Sequence, residues 1–517
     1  MEANKKKMLW IAVCIAVFCT LSLLNIFLVD RDFWFDEGFT GATVRLMQNT
    51  SINFAEYDVH PPGYYILMSW WMHIPHGDIV DHMWLRMLSV VAGALFLVFL
   101  GLFAYQEFSD RKAVSRALLL TAIGTTLLQY STEARMYVVV MLLAVFACYA
   151  GIVAARRASV GWGVAGILAM TVLPFTHYFS CAVVPFIMAV WWVVFEERGY
   201  VRAWWPSLVA GVLAGLSALW VAVTYALPQT HRVGGLMLNL KTFSWMSVVS
   251  GWFFGFQFMG DQLTNVFVQV SIIVMVVAGV GFAGYKLLLQ REKTREWRME
   301  LTFFSTMLVV PVGLVFGLFV AYHHRYVLVE LWMLVFIVYY IILSRSKYKD
   351  EIFSILLAIS IIFLVSWMRV FASDGEIVPE KVFQTMAQHI PCDDNVTIVH
   401  ETTFSYMPAL QYSYERNCSA KHILATQMDR KWATGVGADQ LWLSGAEAWV
   451  NGTFNVTGQQ YVYVNVLNDT LNVKNRSCTV WAGTGKLLEF GEIEWIDPEI
   501  DFNDTVCNKT FSGRMLR

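Results

Sequence analysis

Long apolar stretches alternate with short polar ones through the first 371 residues of the chain. A helix needs about 20 consecutive apolar residues to cross the roughly 30 Å hydrocarbon core of a bilayer. The first stretch is expected to be a retained anchor rather than a cleaved signal, because it runs into Leu28-Val29-Asp30-Arg31 without a small-x-small cleavage site. The pattern predicts eleven membrane spans, near residues 9–29, 84–105, 114–131, 135–155, 160–175, 178–195, 205–226, 266–288, 300–320, 326–344 and 351–371.

Basic residues fall on alternate loops between these spans, at residues 5–7, 111–116, 156–157, 198–202, 291–298 and 345–349. Lys and Arg near span ends are retained on the cytoplasmic side. The sequence therefore predicts a cytoplasmic N-terminus, with the first long loop (30–83) and the tail (374–517) outside. The expected location is the plasma membrane, or the endoplasmic reticulum in a eukaryotic host.

The tail differs in composition from the membrane module, which we place at residues 1–373. Strand-like alternation at 396–399 and 461–466, after a helix-like stretch, predicts a small external α/β domain. N-glycosylation requires translocation, so the acceptor pattern N-x-S/T supports an external tail. The pattern occurs at Asn395, Asn417, Asn451, Asn455, Asn468, Asn475, Asn503 and Asn508.

Four cysteines in the tail favour an oxidising compartment. Cys392, Cys418, Cys478 and Cys507 are too widely spaced to resemble the paired C-x-x-C ligands of a structural zinc site. Two disulfides are the expected arrangement, with three connectivities open, and four free thiols are the alternative.

Composition supports the membrane class and excludes one class of partner. The chain is 57% hydrophobic and 15% charged, against roughly 45–50% and about 25% for soluble domains. Domains that bind nucleic acids usually carry a clear excess of Lys and Arg, whereas the formal net charge of this chain is -2. No nucleic-acid partner is expected.

Two adjacent acids, Asp36 and Glu37, open the first external loop. Solvated surface charge is the simplest interpretation of such a pair. However, Trp34, Phe35 and Phe39 surround them in sequence and indicate a partly desolvated setting, which raises the basicity of a carboxylate. The pair is therefore a candidate catalytic site.

Further polar groups lie at the same predicted face. A guanidinium at Arg135, close to Glu133 and Tyr137, could hold a phosphate in forked geometry. Each group alone could equally be an interfacial anchor. Their common face favours a functional site, because ionisable groups at membrane boundaries are costly. The remaining members of the set are His60, His177, His323, His324, Arg325 and Tyr326.

At these residues the chain resembles the GT-C superfamily of polyprenyl-phosphate-sugar-dependent glycosyltransferases, and within it the protein O-mannosyltransferase-like family 39. The resemblance implies an all-α polytopic bundle and an inverting transfer of a sugar, with mannose expected. The donor would be a dolichyl- or undecaprenyl-phosphate sugar, and the acceptor an external protein, glycan or lipid. The resemblance rests on Asp36-Glu37, His60-Pro61-Pro62-Gly63, Glu133-Ala134-Arg135-Met136-Tyr137 and Arg325-Tyr326.

The resemblance also implies roles for single residues. Asp36 would act as the base on the acceptor hydroxyl, and Glu37 would orient acceptor or donor. Arg135 and Arg325 would neutralise the leaving polyprenyl phosphate. Tyr137 and His324 would assist at the phosphate, and His60, Glu133, His177 and Tyr326 would contact substrate. The chain lacks a MIR-type insertion and the W-W-D-type signature of oligosaccharyltransferases, which argues against en bloc glycan transfer.

Metal dependence and two other function classes stay open at this point. Asp36, Glu37, His60 and His323 carry ligand types for a divalent cation, but their spacing is not diagnostic. A transporter would show polar groups near the bilayer midplane and two related halves. A receptor acting through its tail would need far fewer spans.

Overall fold

A computed structural model provides the structure of the protein. It describes residues 2–29, 35–49, 60–77, 79–196, 204–226, 281, 283–287, 294, 296–304, 328–372, 396–400, 411–412, 415–416, 421–424, 460–465 and 481–482. The predicted spans at 266–288 and 300–320 fall largely outside these residues, as do all eight acceptor asparagines and the four tail cysteines.

In the hydrophobic part of the chain, the regular secondary structure of the described residues is helical. Several helices end in a short turn of different pitch: Asn25–Val29 and Ala222–Ala226 are π-helical, and Tyr178–Val183 is a 3-10 helix. The α-helices are α1 (Glu2–Leu24), α2 (Phe35–Asn49), α3 (Gly63–Met72), α4 (Asp81–Glu107), α5 (Arg111–Ala122), α6 (Thr125–Ser131), α7 (Tyr137–Arg157), α8 (Val160–Thr176), α9 (Val184–Glu196), α10 (Trp204–Val221), α11 (Leu328–Arg345) and α12 (Lys349–Ala372).

Four helical stretches in the described residues are long and apolar enough to cross a membrane, namely Lys5–Leu28, Asp81–Glu107, Tyr137–Arg157 and Leu208–Tyr225. Val160–Thr176, Val184–Glu196 and Val335–Arg345 are shorter apolar helices. The prediction of a multi-pass membrane protein is confirmed. The total of eleven spans and the orientation in the membrane stay predictions.

The predicted third span is not one continuous helix. α5 ends at Ala122, Gly124 is extended (φ -62°, ψ 121°), and α6 begins at Thr125. Glycine is about 1 kcal/mol less favourable than alanine inside a helix, so the chain breaks there at little cost. The apolar run at 114–131 therefore forms two short segments.

The predicted first external loop (30–83) contains two helices, α2 and α3. Asp36 and Glu37 lie in the first turn of α2, where carboxylates interact favourably with the helix dipole. In α3, Tyr64, Tyr65 and Met68 are buried and Trp70 is 69% exposed, so this helix is amphipathic.

The core of the bundle shows close helix packing at small residues. Trp191 on α9 is fully buried, and its indole N–H donates to the carbonyl of Ala147 at 2.9 Å. A Cβ at Gly151 would lie 2.1 Å from Nε1 of Trp191, so only glycine leaves room for the ring. This contact fixes how α7 packs against α9.

The tail contains a parallel sheet. Its strands are β1 (Val396–His400), β2 (Lys421–Leu424), β3 (Gln460–Asn465) and β4 (Trp481–Ala482), in the order β2-β1-β3-β4. β1 and β3 coincide with the two predicted strand runs. Every described pairing is parallel, which requires crossover connections between strands. The α/β domain as a unit stays a prediction.

A short tail segment packs on the bundle. Gln411 and Tyr412 are buried, and a Cβ at Gly41 of α2 would lie 2.5 Å from Oε1 of Gln411. His82 at the start of α4 bonds through Nδ1 to Oε2 of Glu415 at 3.0 Å. The tail therefore contacts the end of the bundle at which the two acids lie.

Candidate active site

A buried ion pair organises this end of the bundle. Arg86 on α4 donates from Nε and Nη2 to the two carboxylate oxygens of Glu37, each at 2.9 Å. The side chains are 1% and 0% exposed. Such a pair is tolerated in a dry environment only when its geometry is good and its remaining polar groups are satisfied. The forked arrangement meets the first requirement.

Further hydrogen bonds hold the loop between α6 and α7 against this pair. The backbone N–H of Ala134 donates to Oε1 of Glu37 at 2.9 Å. Ser89 on α4 donates to the carbonyl of Glu133 at 2.6 Å. Glu37 therefore joins α2, α4 and the loop that carries Arg135, which gives this loop a defined position.

Asp36 is held differently from its neighbour. Nη2 of Arg135 lies 3.5 Å from Oδ2 of Asp36, and Nη1 donates to the Asp36 carbonyl at 3.1 Å. Thr40, one turn further along α2, also donates to that carbonyl at 2.9 Å. The Asp36 side chain is 15% exposed and that of Arg135 is 2% exposed. Of the two adjacent acids, Asp36 is the one that remains accessible.

A row of rings continues the site from Arg135. Tyr137, two residues along, lies with its ring centroid 5.7 Å from His177, and His177 lies 5.7 Å from His60. Tyr130 contacts Tyr137 edge to face at 5.4 Å. These side chains could offer hydroxyl and imidazole hydrogen-bonding groups beside the ion pairs.

Tyr64 on α3 completes the cluster. It is fully buried and lies within electrostatic range of Arg135, Glu37 and Glu133. Burial raises the pKa of the Tyr64 phenol, so this group is a neutral hydroxyl at physiological pH. Gly63 allows this placement, because a Cβ there would lie 2.5 Å from the carbonyl of Phe175 on α8.

The structure thus brings seven predicted residues into one cluster: Asp36, Glu37, His60, Glu133, Arg135, Tyr137 and His177. The other predicted members, His323, His324, Arg325 and Tyr326, lie outside the described residues. Among the described residues there is no group of three or more His, Cys, Asp or Glu side chains placed to hold a metal ion.

Arg86 was missed by the sequence-based prediction. It is the one charged residue within the predicted span 84–105. Ionisable residues inside a membrane span are functional candidates by default, so the position of Arg86 could have identified it from the sequence. Its partner could not be named from sequence, because Glu37 lies 49 residues earlier in the chain.

The arrangement supplies two chemical functions side by side. An accessible carboxylate, fixed by its own backbone and by Arg135, can accept a proton. A guanidinium with forked donors can stabilise negative charge that develops on a phosphate.

Comparison with solved structures shows that the chain shares the fold of a protein named ArnT. The crystal structure of ArnT from Cupriavidus metallidurans in the apo state has a TM-score of 0.57 and 13% sequence identity, covering 91% of this chain and 94% of that one. The structure of that ArnT bound to undecaprenyl phosphate has a TM-score of 0.51 and 12% identity, with coverages of 89% and 93%. No family model and no curated protein matches the sequence. At this level of identity the similarity shows the fold alone.

Proposed function

We propose that the protein is an inverting membrane glycosyltransferase that takes a sugar from a polyprenyl-phosphate carrier. The acceptor would be a hydroxyl of a protein, glycan or lipid on the face where the Asp36 cluster lies. Mannose is the sugar that the resemblance to family 39 favours. The proposal is supported by the shared fold with ArnT, which has been crystallised with undecaprenyl phosphate.

One observation carries the proposal: the two adjacent acids have different environments. Glu37 is fully buried and engaged by Arg86 and the Ala134 amide, so it serves as a positioning residue. Asp36 is partly exposed and lies beside Arg135. We therefore keep the role of base for Asp36, as the resemblance implies, and propose that Glu37 positions the protein's own segments and does not orient acceptor or donor.

The proposed step is a single displacement at the anomeric carbon. The acceptor oxygen forms a bond to that carbon while its proton passes to the Asp36 carboxylate. The bond between the anomeric carbon and the phosphate oxygen breaks, and the polyprenyl phosphate leaves with the electron pair. Arg135 stabilises its charge, and Arg325 is expected to assist.

The transporter alternative predicts polar groups near the bilayer midplane. Arg86 lies five residues from the start of α4, which corresponds to about 8 Å along the axis. This position places the Glu37–Arg86 pair near one end of a 27-residue helix. The location favours a site at the membrane boundary, as expected for a lipid-linked donor.

The test uses purified protein, radiolabelled polyprenyl-phosphate sugars and a panel of acceptors. Asp36→Asn should lower the rate of transfer about 10²- to 10⁴-fold, the range for loss of a general base. The midpoint of thermal unfolding is recorded too and should fall, because the change removes the carboxylate beside the nearly buried Arg135 guanidinium. Rates are therefore compared at a temperature at which both proteins are folded. Glu351→Gln, an exposed acid on α12, serves as the control and should leave transfer unchanged.

Transfer that survives Asp36→Asn would remove this carboxylate from the mechanism. Absence of transfer by the wild type with every donor, combined with saturable uptake of a solute into proteoliposomes, would favour a transporter instead.

A further inference from the structure

A second polar feature lies at the other end of the bundle. A cavity of about 520 Å³ opens between the start of α1, the start of α5 and the start of α12. Tyr105 on α4 forms part of its wall. Arg86 and Tyr105 are 19 residues apart on this helix, which corresponds to about 28 Å along its axis. The cavity is therefore separate from the Asp36 cluster.

The lining of this cavity is strongly basic. Its ten residues include five cations and no acid: Lys6, Lys7, Arg111, Lys112 and Arg116, with Trp10, Tyr105, Ser115, Leu119 and Phe353. Asp350, at the edge, accepts from Lys112 at 2.9 Å and lies 2.5 Å from Nη2 of Arg116. Asp350 therefore engages two of the five cations.

Some of these cations have no acidic partner in the described part of the chain. Neither Lys7 nor Arg111 forms a salt bridge with a described acid. Lys7 also lies within electrostatic range of Arg111 and of Arg156, whose like charges repel it. An anion in the cavity would relieve this repulsion, and phosphate is the anion that convergent Lys and Arg side chains bind well.

The walls of the cavity are fixed by neutral contacts. The hydroxyl groups of Tyr105 and Ser115 are 2.6 Å apart. The guanidinium of Arg116 lies 4.7 Å from the ring centroid of Phe353, a cation–π distance. Trp10, 44% exposed, lies at the rim, and tryptophan at a membrane boundary is typical of the headgroup region.

Lys and Arg residues are retained on one side of a membrane, which explains why this end of the bundle is positively charged. It does not explain why five cations from separate helices line the same cavity. Other basic residues at the same end are paired individually, such as Arg298 with Glu196 at 3.0 Å and Lys349 with Asp110 at 3.3 Å. In the cavity the charges instead line one shared volume, which is within the size range of ligand sites.

We propose that this cavity binds the phosphate headgroup of an anionic membrane lipid, in the leaflet next to the basic loops. The phosphate would lie among Lys7, Arg111 and Arg116, and the acyl chains would leave past Trp10 towards the hydrocarbon. Basic pockets between membrane helices on the cytoplasmic side are known to bind lipid headgroups of this kind. This site does not depend on the proposed glycosyl transfer.

The test measures lipid retention by native mass spectrometry, with the full chain in nanodiscs of phosphatidylglycerol and phosphatidylcholine. The wild type should retain phosphatidylglycerol in preference to phosphatidylcholine. In Lys7→Gln/Arg111→Gln the affinity for phosphatidylglycerol should fall about 30-fold, since each basic residue near the surface contributes about fivefold. The charge-preserving Lys7→Arg/Arg111→Lys should retain most of the preference.

Lys5→Gln/Arg157→Gln is the matched control, because it removes the same two charges from exposed positions outside the cavity. If both double variants lost the same affinity for phosphatidylglycerol, the proposal would be overturned. The preference would then come from the overall positive charge of this end and not from the cavity. Unfolding is recorded for each variant, and Arg111→Gln alone repeats the measurement if the double variant is unstable.

Inorganic pyrophosphate is added to phosphatidylcholine nanodiscs in a separate arm. Thermal stabilisation there, without selective lipid retention, would assign the cavity to a soluble phosphate compound and reject the lipid.

Discussion

Ion pairs occur at both ends of the helical bundle, but the two ends use charge differently. At one end Glu37 and Arg86 are 0% and 1% exposed and share a forked pair of hydrogen bonds. At the other end Lys112 and Asp350 are 58% and 62% exposed. The buried pair holds three segments of chain in one geometry. The exposed groups leave positive charge available to a ligand.

The difference follows from desolvation. Removing two charges from water costs several kcal/mol per ion in real proteins, so a buried pair persists only with near-ideal partners. An exposed pair loses little hydration, and its net contribution to the free energy of unfolding is small. Burial therefore makes the first pair sensitive to any substitution, and exposure makes the second tolerant. The following predictions test this contrast, from the largest expected effect to the smallest.

Arg86→Met should lower the free energy of unfolding by about 3–5 kcal/mol, because it leaves the Glu37 carboxylate buried without its cation. Unfolding of the purified protein in mixed micelles, followed by circular dichroism, measures the change. The double variant Arg86→Met/Glu37→Leu should recover most of the loss, since the unpaired charge is removed. A double variant as unstable as the single one would contradict the desolvation account.

Arg135→Lys should lower the turnover of glycosyl transfer about 10²- to 10³-fold, the range for loss of one charge-stabilising donor. An ammonium group cannot reach both the Asp36 carbonyl and its carboxylate with the geometry of a guanidinium. Initial rates over a range of donor concentrations measure the effect. Lys112→Arg at the basic end is the control and should leave turnover unchanged. If Arg135→Lys kept the wild-type turnover, the two hydrogen-bond donors of the guanidinium would not be needed for transfer.

The contact between tail and bundle should contribute about 1.5–3 kcal/mol of coupling, as expected for a hydrogen bond to a charged group. His82 is 2% exposed and Glu415 is 12% exposed, so solvent screens this bond only weakly. A double-mutant cycle of His82→Phe and Glu415→Gln measures the coupling. Additive effects would indicate that the tail segment is held by Gln411 and Tyr412 instead.

Glu196→Gln at the basic end should change the free energy of unfolding by only about 0.2–1 kcal/mol. Its partner Arg298 lies 3.0 Å away, but the two side chains are 55% and 38% exposed. The measurement is the same unfolding curve as for Arg86→Met. An effect of similar size in the two variants would abolish the distinction between the ends.

Much of this organisation could be predicted from particular stretches of sequence. The apolar run at 135–155 predicts α7 to within two residues at each end. Asp36 and Glu37 were identified as site candidates from their aromatic neighbours, although not as part of a helix. The break at Gly124 was missed, because the apolar content of 114–131 continues across it. Hydropathy reports burial in lipid, not the continuity of a helix.

The sequence by itself determined that the chain is a multi-pass membrane protein, while the orientation that its basic loops indicate stays a prediction. Those properties depend on local composition, which a single pass along the chain can read. The tertiary structure decided which acid is buried and which stays accessible. Asp36 and Glu37 are neighbours with similar chemistry, and only the approach of Arg86 and Arg135 from distant segments distinguishes them. The same holds for the basic cavity, whose cations come from separate helices that packing alone brings together.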